Sequence, residues 1–316
     1  MPTETTETQV GVPSETDEFR EQCRDRERRD DLLQETIDCW IEELERDVEE
    51  ATASEQFAEW LDVQAQFHDY SFRNSILIRR QCPEATRVAG YRAWQDLDRQ
   101  VQSGEQAIWI RAPIRTRVCP SCGDSVQRHG DCTEETPTEE WPQNVVGFRS
   151  VAVFDISQTE GEPLPELERE AHGQAGWLVD TLHEVANDHD IPVRVIDESE
   201  WPHGSAWGVY GTAADRIDLR SRENTADLAR TFLHELAHAR LHPEAPVDSQ
   251  QAAAFELDAE ATAAIVGRHF DLDTSGSRWY LSAWAHDEDV SVTDRCEEIA
   301  VTARELIEQI DRKASD

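Results

Sequence analysis

The chain has 316 residues, 67 of them acidic and 30 basic, for a formal charge of −37. A length of this order accommodates two domains. It contains no apolar run of about 18 residues and no basic–apolar–small leader, which points to a cytoplasmic protein with no membrane partner. Lys313 is the single lysine. An acidic, lysine-poor surface of this kind suits a cytoplasm at molar salt, as in halophilic archaea, where screening relieves self-repulsion. Ten tryptophans argue against a disordered acidic protein. Seven cysteines, an odd number at irregular spacings, argue for metal binding in a reducing compartment over a disulfide framework.

Residues 1–17 are rich in Thr, Glu and Pro, and read as a disordered acidic tail. Residues 18–53 read as a charged helix with an apolar stripe of Leu32, Leu33, Ile37, Trp40, Ile41 and Leu44. The next stretch differs from its surroundings. Residues 57–118 hold nine arginines against seven acids, a net of +2, while the rest of the chain carries −39. The pattern there predicts helices over about 54–70 and 72–81, a strand over 86–90, a short helix over 91–98 and a strand over 107–112. Arginines interleaved with aromatics are what a groove for single-stranded DNA requires, charge for phosphates and rings for bases. The candidates are Arg73, Arg79, Arg80, Tyr91, Arg92, Trp94 and Trp109. Each ring taken alone is more often a core residue.

CPSCGDSVQRHGDC (119–132) follows, with Cys119, Cys122, His129 and Cys132. A CxxC turn with a His and a Cys close behind can close a tetrahedral structural zinc site. Residues 145–161 alternate and read as the last strand of a domain spanning 54–158, and 159–170 read as a linker. A helix over 178–190, a strand over 191–197 and a hairpin over 207–220 open a second domain, 171–290. A strand of such a hairpin can receive another chain by edge pairing.

The helix at 225–242 carries His234-Glu235-Leu236-Ala237-His238. Asn224 or Thr225 can cap it and Pro243 stops it. Histidines four apart share a face and can hold one zinc ion, with Glu235 between them as general base. A third ligand comes from the next predicted helix. Glu256 and Glu260 share a face there, so Glu256 closes a His2Glu site of the gluzincin kind and Glu260 supports a ligating histidine. Helices at 277–285 and 294–311 complete the chain, the latter within a C-terminal segment 291–316. Tyr280 lies where it can donate to an oxyanion, although a core role is commoner.

The segment from Phe67 to Ile114 resembles the N-terminal domain of the ArdC-type antirestriction proteins. The shared features are Asn74, Ile76-Leu77-Ile78, Gln81, Pro83, Thr86, Ala89-Gly90-Tyr91 and Trp94, then Val101, Gly104-Glu105, Ile108 and Pro113. HELAH, FELDAEATA and SRWYLSAW are similar to the ArdC and ImmA/IrrE-like metallopeptidases. The resemblance implies single-stranded DNA binding in the first part, and zinc on His234, His238 and Glu256 with Glu235 as base in the second. Glu260 stands where the related peptidases often have Asp or Asn. The expected architecture is therefore α+β: a small single-stranded-DNA-binding domain with a zinc-knuckle insert, then a zincin-like metallopeptidase domain. The expected function is a zinc-dependent peptidase coupled to that module, acting on a protein or peptide, with one catalytic and one structural Zn2+. The alternative is a protein that protects single-stranded DNA by occupancy, with the zincin half as scaffold.

Overall fold

The computed structural model of the protein describes residues 15–50, 54–130, 132–133, 136–162, 175–246, 248–272, 281–284 and 290–315. Its elements are mixed α and β. Contacts divide the chain into two units, Met1–Thr36 with Leu77–Pro163 and Ile37–Ile76 with Leu164–Asp316. Among the described residues no helix is long and apolar enough to cross a membrane.

The first unit begins with α1 (Glu15–Gln22) and the first part of α2 (Arg26–Glu49). The acidic tail expected over 1–17 therefore yields to helix at Glu15. Arg24 and Asp25 interrupt what was expected as one helix, and Asp25 accepts the backbone N–H of Glu27 at 3.0 Å. The end of α4 (Phe72–Gln81), α5 (Tyr91–Asp96) and a three-stranded antiparallel sheet follow. Its order is β1 (Val88–Gly90), β4 (Gln143–Asp155), β3 (Ile108–Arg117). A two-stranded ribbon of β2 (Arg99–Val101) and β5 (Thr159–Gly161) stands beside it. Two buried polar side chains tie the sheet to its surroundings. Gln81 both donates to the Trp109 carbonyl (2.8 Å) and accepts its N–H (2.9 Å), pairing the strand as another strand would. Asp155 takes the N–H groups of Thr86 (2.7 Å) and Arg87 (3.0 Å).

The second unit is not the 171–290 domain of the sequence reading. It also takes in α3 (Glu55–Gln66) and the start of α4, which were expected to belong with the sheet above. The cause is aromatic packing. Phe57 meets Trp284 edge-on at 5.3 Å, and Phe72 meets Trp60 at 5.3 Å and Trp40 at 5.4 Å. Around this cluster lie α6 (Gly176–Asp188), α7 (Thr225–Leu241), α8 (Ser249–His269) and α9 (Val292–Ala314). A small sheet completes the unit, with β6 (Val193–Ile196) parallel to β8 (Arg216–Arg220) and β7 (Gly208–Gly211) antiparallel on its other side. Residues 1–14, 163–174 and 273–280 lie outside the description, and with them most of the expected tail, the linker from 163 on and Tyr280.

Asp258 is the buried charge of this unit. Its carboxylate accepts Arg295 Nη1 at 2.5 Å and Trp284 Nε1 at 2.8 Å, and both Asp258 and Arg295 are only 3% exposed. Removing one partner of a buried pair strands the other charge, at a cost of ~3–5 kcal/mol. Asp258→Ala is expected to lower the unfolding free energy, read from urea titration, by an amount in that range. A loss under about 1 kcal/mol would show that the pair is not structural.

Candidate metal centre

Local sequence dictates α7. Asn224 caps it by accepting the N–H groups of Ala226 (3.0 Å) and Asp227 (3.3 Å). Leu228, Phe232, Leu233 and Leu236 form its buried stripe. With that face fixed inward, Arg230, His234 and His238 repeat every four residues along another face. Asp248 caps α8 in the same way, through Gln250 and Gln251. Glu256 and Glu260 share one face of α8, while Asp258 between them lies about 200° away and is buried.

The two helices meet as a ladder. Arg230 donates to Glu260 at 3.0 Å. The other Glu260 oxygen stands 3.2 Å from His234 Nδ1. His234 Nε2 lies 3.3 Å from Glu256, His238 Nε2 lies 3.5 Å from its second oxygen, and the two Nε2 atoms are 3.1 Å apart. Ligand atoms at ~2.0–2.1 Å from one tetrahedral ion stand about 3.3 Å from each other. The side chains of His234, His238 and Glu256 thus already have the mutual spacing of a bound divalent cation.

Glu235 is 7% exposed and accepts the backbone N–H of Tyr210 on β7 at 2.7 Å. The strand comes close enough that a Cβ on Gly208 would lie 2.7 Å from Glu235 Cγ and Thr231 Cγ2. Burial raises the Glu235 pKa, opposed by the charges of His234 and His238. Hydrogen bonds to His234 and His238 hold Glu256 well below the usual carboxylate range. Burial pushes the His234 imidazolium down, but Glu256 and Glu260 outweigh it and raise its pKa to about 10. A cleft of about 650 Å³ opens over these groups, lined by Trp207, Gly208, Tyr210 and Arg222 on one side and Phe255 on another.

The second cluster is in the first unit. Cys119, Cys122, His129 and Cys132 bring one ligand atom each within 4.8 Å of the others. The Sγ atoms of Cys119 and Cys132 are 3.8 Å apart, the spacing of two sulfurs at ~2.3 Å from one tetrahedral ion. The turn closes through Gly123, whose N–H bonds the Cys119 carbonyl at 2.9 Å with φ +77°, a region that favours glycine. Removal from water raises the Cys119 thiol. Backbone N–H groups of Cys122 and Ser121, with the thiols of Cys122 and Cys132, outweigh this and bring it down to about 7.

The DNA candidates are scattered. Trp94 is 1% exposed and donates to the Phe154 carbonyl at 2.9 Å, so its ring is core and not a stacking surface. Arg29 covers Trp109 at 3.4 Å. Arg79 bonds the Pro83 carbonyl, and Arg80 lies over Phe19 at 5.5 Å and 3.8 Å from Glu15. Arg73 pairs with Glu297 at 2.9 Å in the second unit. Tyr91 and Arg92 remain exposed. The sequence reading missed Phe148 and Arg149, both exposed, with Arg111 over the Phe148 ring at 5.4 Å. It also missed the Tyr210 N–H, since a backbone donor leaves no mark in the residue pattern.

Residues 30–154 match the family model described as the N-terminal domain of anti-restriction factor ArdC. An uncharacterized Bacillus anthracis protein is 26% identical over 289 residues, which cover 83% of this chain and 49% of that protein. The chain thus spans about half the length of that curated relative. Two crystal structures of the antirestriction ArdC protein from the R388 plasmid are also similar. The metal-free form is 15% identical with a TM-score of 0.44, covering 83% of this chain and 98% of that one. The Mn(II)-bound form is 16% identical with a TM-score of 0.47, covering 90% and 98%.

Two independent ligand sets should hold two divalent ions per chain. Metal analysis of protein purified under metal-replete conditions is expected to find two equivalents. The variant with both His234→Ala and His238→Ala should lose one, and Cys119→Ser with Cys122→Ser the other. A value of one or none in the unmodified chain refutes one of the two sets.

Proposed function

We propose that the chain is a zinc-dependent peptidase coupled to a single-stranded-DNA-binding unit, acting in DNA protection of the antirestriction type. One observation carries the catalytic half. Three ligand side chains stand at tetrahedral spacing, with a buried carboxylate of raised pKa on the same helix turn. Two imidazoles and one carboxylate suit zinc in a site that keeps a position open. A bound ion of this kind supplies Lewis-acid polarisation of water and of a carbonyl. The rest falls to the protein. Glu235 is held by the Tyr210 N–H, and its burial suits a base that accepts a proton and returns it to a leaving amine. Glu260, itself held by Arg230, stands 3.2 Å from His234 Nδ1, within reach to support that imidazole as a ligand. In β7 the pairing of Trp207 with Arg220 turns the backbone of Val209 toward β8 and that of Gly208 toward the cleft, where an extended peptide can pair at the edge, while the Tyr210 N–H is already taken by Glu235. The second cluster is read as structural zinc, because no general acid or base accompanies it.

Glu235→Gln tests the assignment. It keeps the shape and removes the base, so metal content should hold while cleavage of a quenched-fluorescent peptide library falls ~10²–10⁴-fold. If the variant protects DNA from restriction in cells as well as the unmodified chain does, protection is by occupancy and the second unit serves as scaffold.

The DNA half rests on the ArdC N-terminal match and on exposed groups of the first unit, Tyr91, Arg92, Phe148 and Arg149. The acidic composition fits work at molar salt, where phosphate pairing is heavily screened. Stacking then has to supply the affinity, at ~1–3 kcal/mol per base, and stacking needs unpaired bases. Fluorescence anisotropy of the full chain with labelled oligonucleotides, across salt to the molar range, should show single strands bound more tightly than duplex, with a shallow salt slope. Equal or tighter duplex binding, or a steep fall with salt, would overturn the stacking account.

A further inference from the structure

The arginines of the second unit are mostly spoken for. Arg194 and Arg216 share Asp218, Arg220 pairs with Glu198, Arg230 with Glu260, Arg240 with Glu305 and Arg268 with Asp62. A chain with 67 acids and 30 bases has carboxylates to spare. Arg222 is different. It lines the metal cleft, yet among the described residues no carboxylate lies within ion-pair distance of it. Its Nη2 donates to Thr231 Oγ1 at 2.6 Å, one helical turn before His234. Its guanidinium carbon lies 4.6 Å from the centroid of Trp207, and that of Arg220 lies 4.7 Å from the same ring. Its Nε is buried with no hydrogen-bond partner. Trp207 and Thr231 therefore hold the guanidinium plane in place while donors remain unused.

Leaving such a cation unpaired costs free energy. Burial disfavours its charge; Asp227 offsets part of this, and Arg220 and Arg230 add to it. A buried donor with no acceptor is a further penalty. The charge penalty is relieved when an anion enters the cleft and meets the Nη end of the guanidinium, whereas the occluded Nε stays out of its reach. A guanidinium fork accepts a carboxylate in two parallel hydrogen bonds, which gives geometric selectivity as well as attraction.

We propose that Arg222, set by Trp207 and Thr231, is a specificity-determining residue that selects an acidic side chain of the peptide lying beside the metal centre. This rests on the peptidase reading and names its substrate class. The preference is for a carboxylate over its amide, because the amide cannot satisfy both faces of the fork and brings no charge. Trp207, itself half-exposed, covers one face of the guanidinium and fixes its plane.

The test uses the full, zinc-loaded chain and short peptide hydroxamates. These carry Glu or Gln on either side of the metal-binding group, and their affinities are read by calorimetry at fixed salt. One Glu compound is expected to bind at least ten-fold more tightly than its Gln partner. Arg222→Gln should abolish that ratio while leaving the affinity of the Gln compound within two-fold, which shows that the cleft is intact. Arg222→Lys should keep part of the ratio, since charge remains but the fork is lost. Equal binding of the Glu and Gln compounds, or a ratio unchanged in Arg222→Gln, overturns the inference while the metal centre stands. Acid-selective binding without cleavage of any peptide would instead uphold the inference and remove the peptidase. Binding of neither compound would remove both.

Discussion

Three carboxylates, Glu235, Glu256 and Glu260, converge on two imidazoles, and so much negative charge in a half-buried cleft requires a positive centre. Protons supply it where no ion does, which is why His234 stays charged far above the ordinary imidazole range. A divalent cation supplies it better, because it satisfies the same oxygens and nitrogens at the spacing they already have. The arrangement follows from one geometric fact. α7 and α8 run antiparallel with a shared period of four, so Arg230, His234 and His238 face Glu260 and Glu256 in alternating sign. His242 continues the row by stacking on Phe255 at 3.7 Å.

The ladder holds only if both helices are locked against rotation. α7 is locked by its apolar stripe and by the cap at Asn224. α8 is short of large side chains and is held differently. Its alanines let neighbours approach, and Asp258 anchors it through Arg295 on α9. The acid that fixes rotation and the acids that face the cleft are therefore alternate letters of one sequence, ELDAE. β7 adds the last restraint. Gly208 lets the strand close on Glu235, and the Tyr210 N–H fixes the carboxylate that a free side chain would swing.

Much of this was legible in the residues. The bounds of α7 follow from Asn224 and Pro243, and the shared faces of His234 with His238 and Glu256 with Glu260 follow from helical periodicity alone. The hairpin and the CxxC turn were equally plain, since each turns on a residue in the left-handed region, Asp215 and Gly123. What was not legible depends on partners far along the chain. Trp94 reads as a candidate stacking ring because composition cannot say that its N–H meets the Phe154 carbonyl. The helices around Phe57 and Phe72 read as part of the sheet domain, and the positions of Trp284 and Trp40 show otherwise. The basic window of residues 57–118 straddles both units for the same reason, so its net charge does not describe one surface.

Charge in this protein is organised by pairing more than by excess. A formal charge of −37 would leave any cleft repellent to acidic peptides if carboxylates were spread evenly. They are not. Glu235, Glu256 and Glu260 are committed to a backbone N–H, to histidines or to an arginine, while the wall formed by Trp207 and Arg222 brings a cation to the same cleft. High salt screens the distant acids over ~3 Å at 1 M and leaves a desolvated contact nearly untouched. Recognition of charge against so acidic a background acts best at contact range, with a guanidinium fixed in advance, and Arg222 on Trp207 and Thr231 has that form.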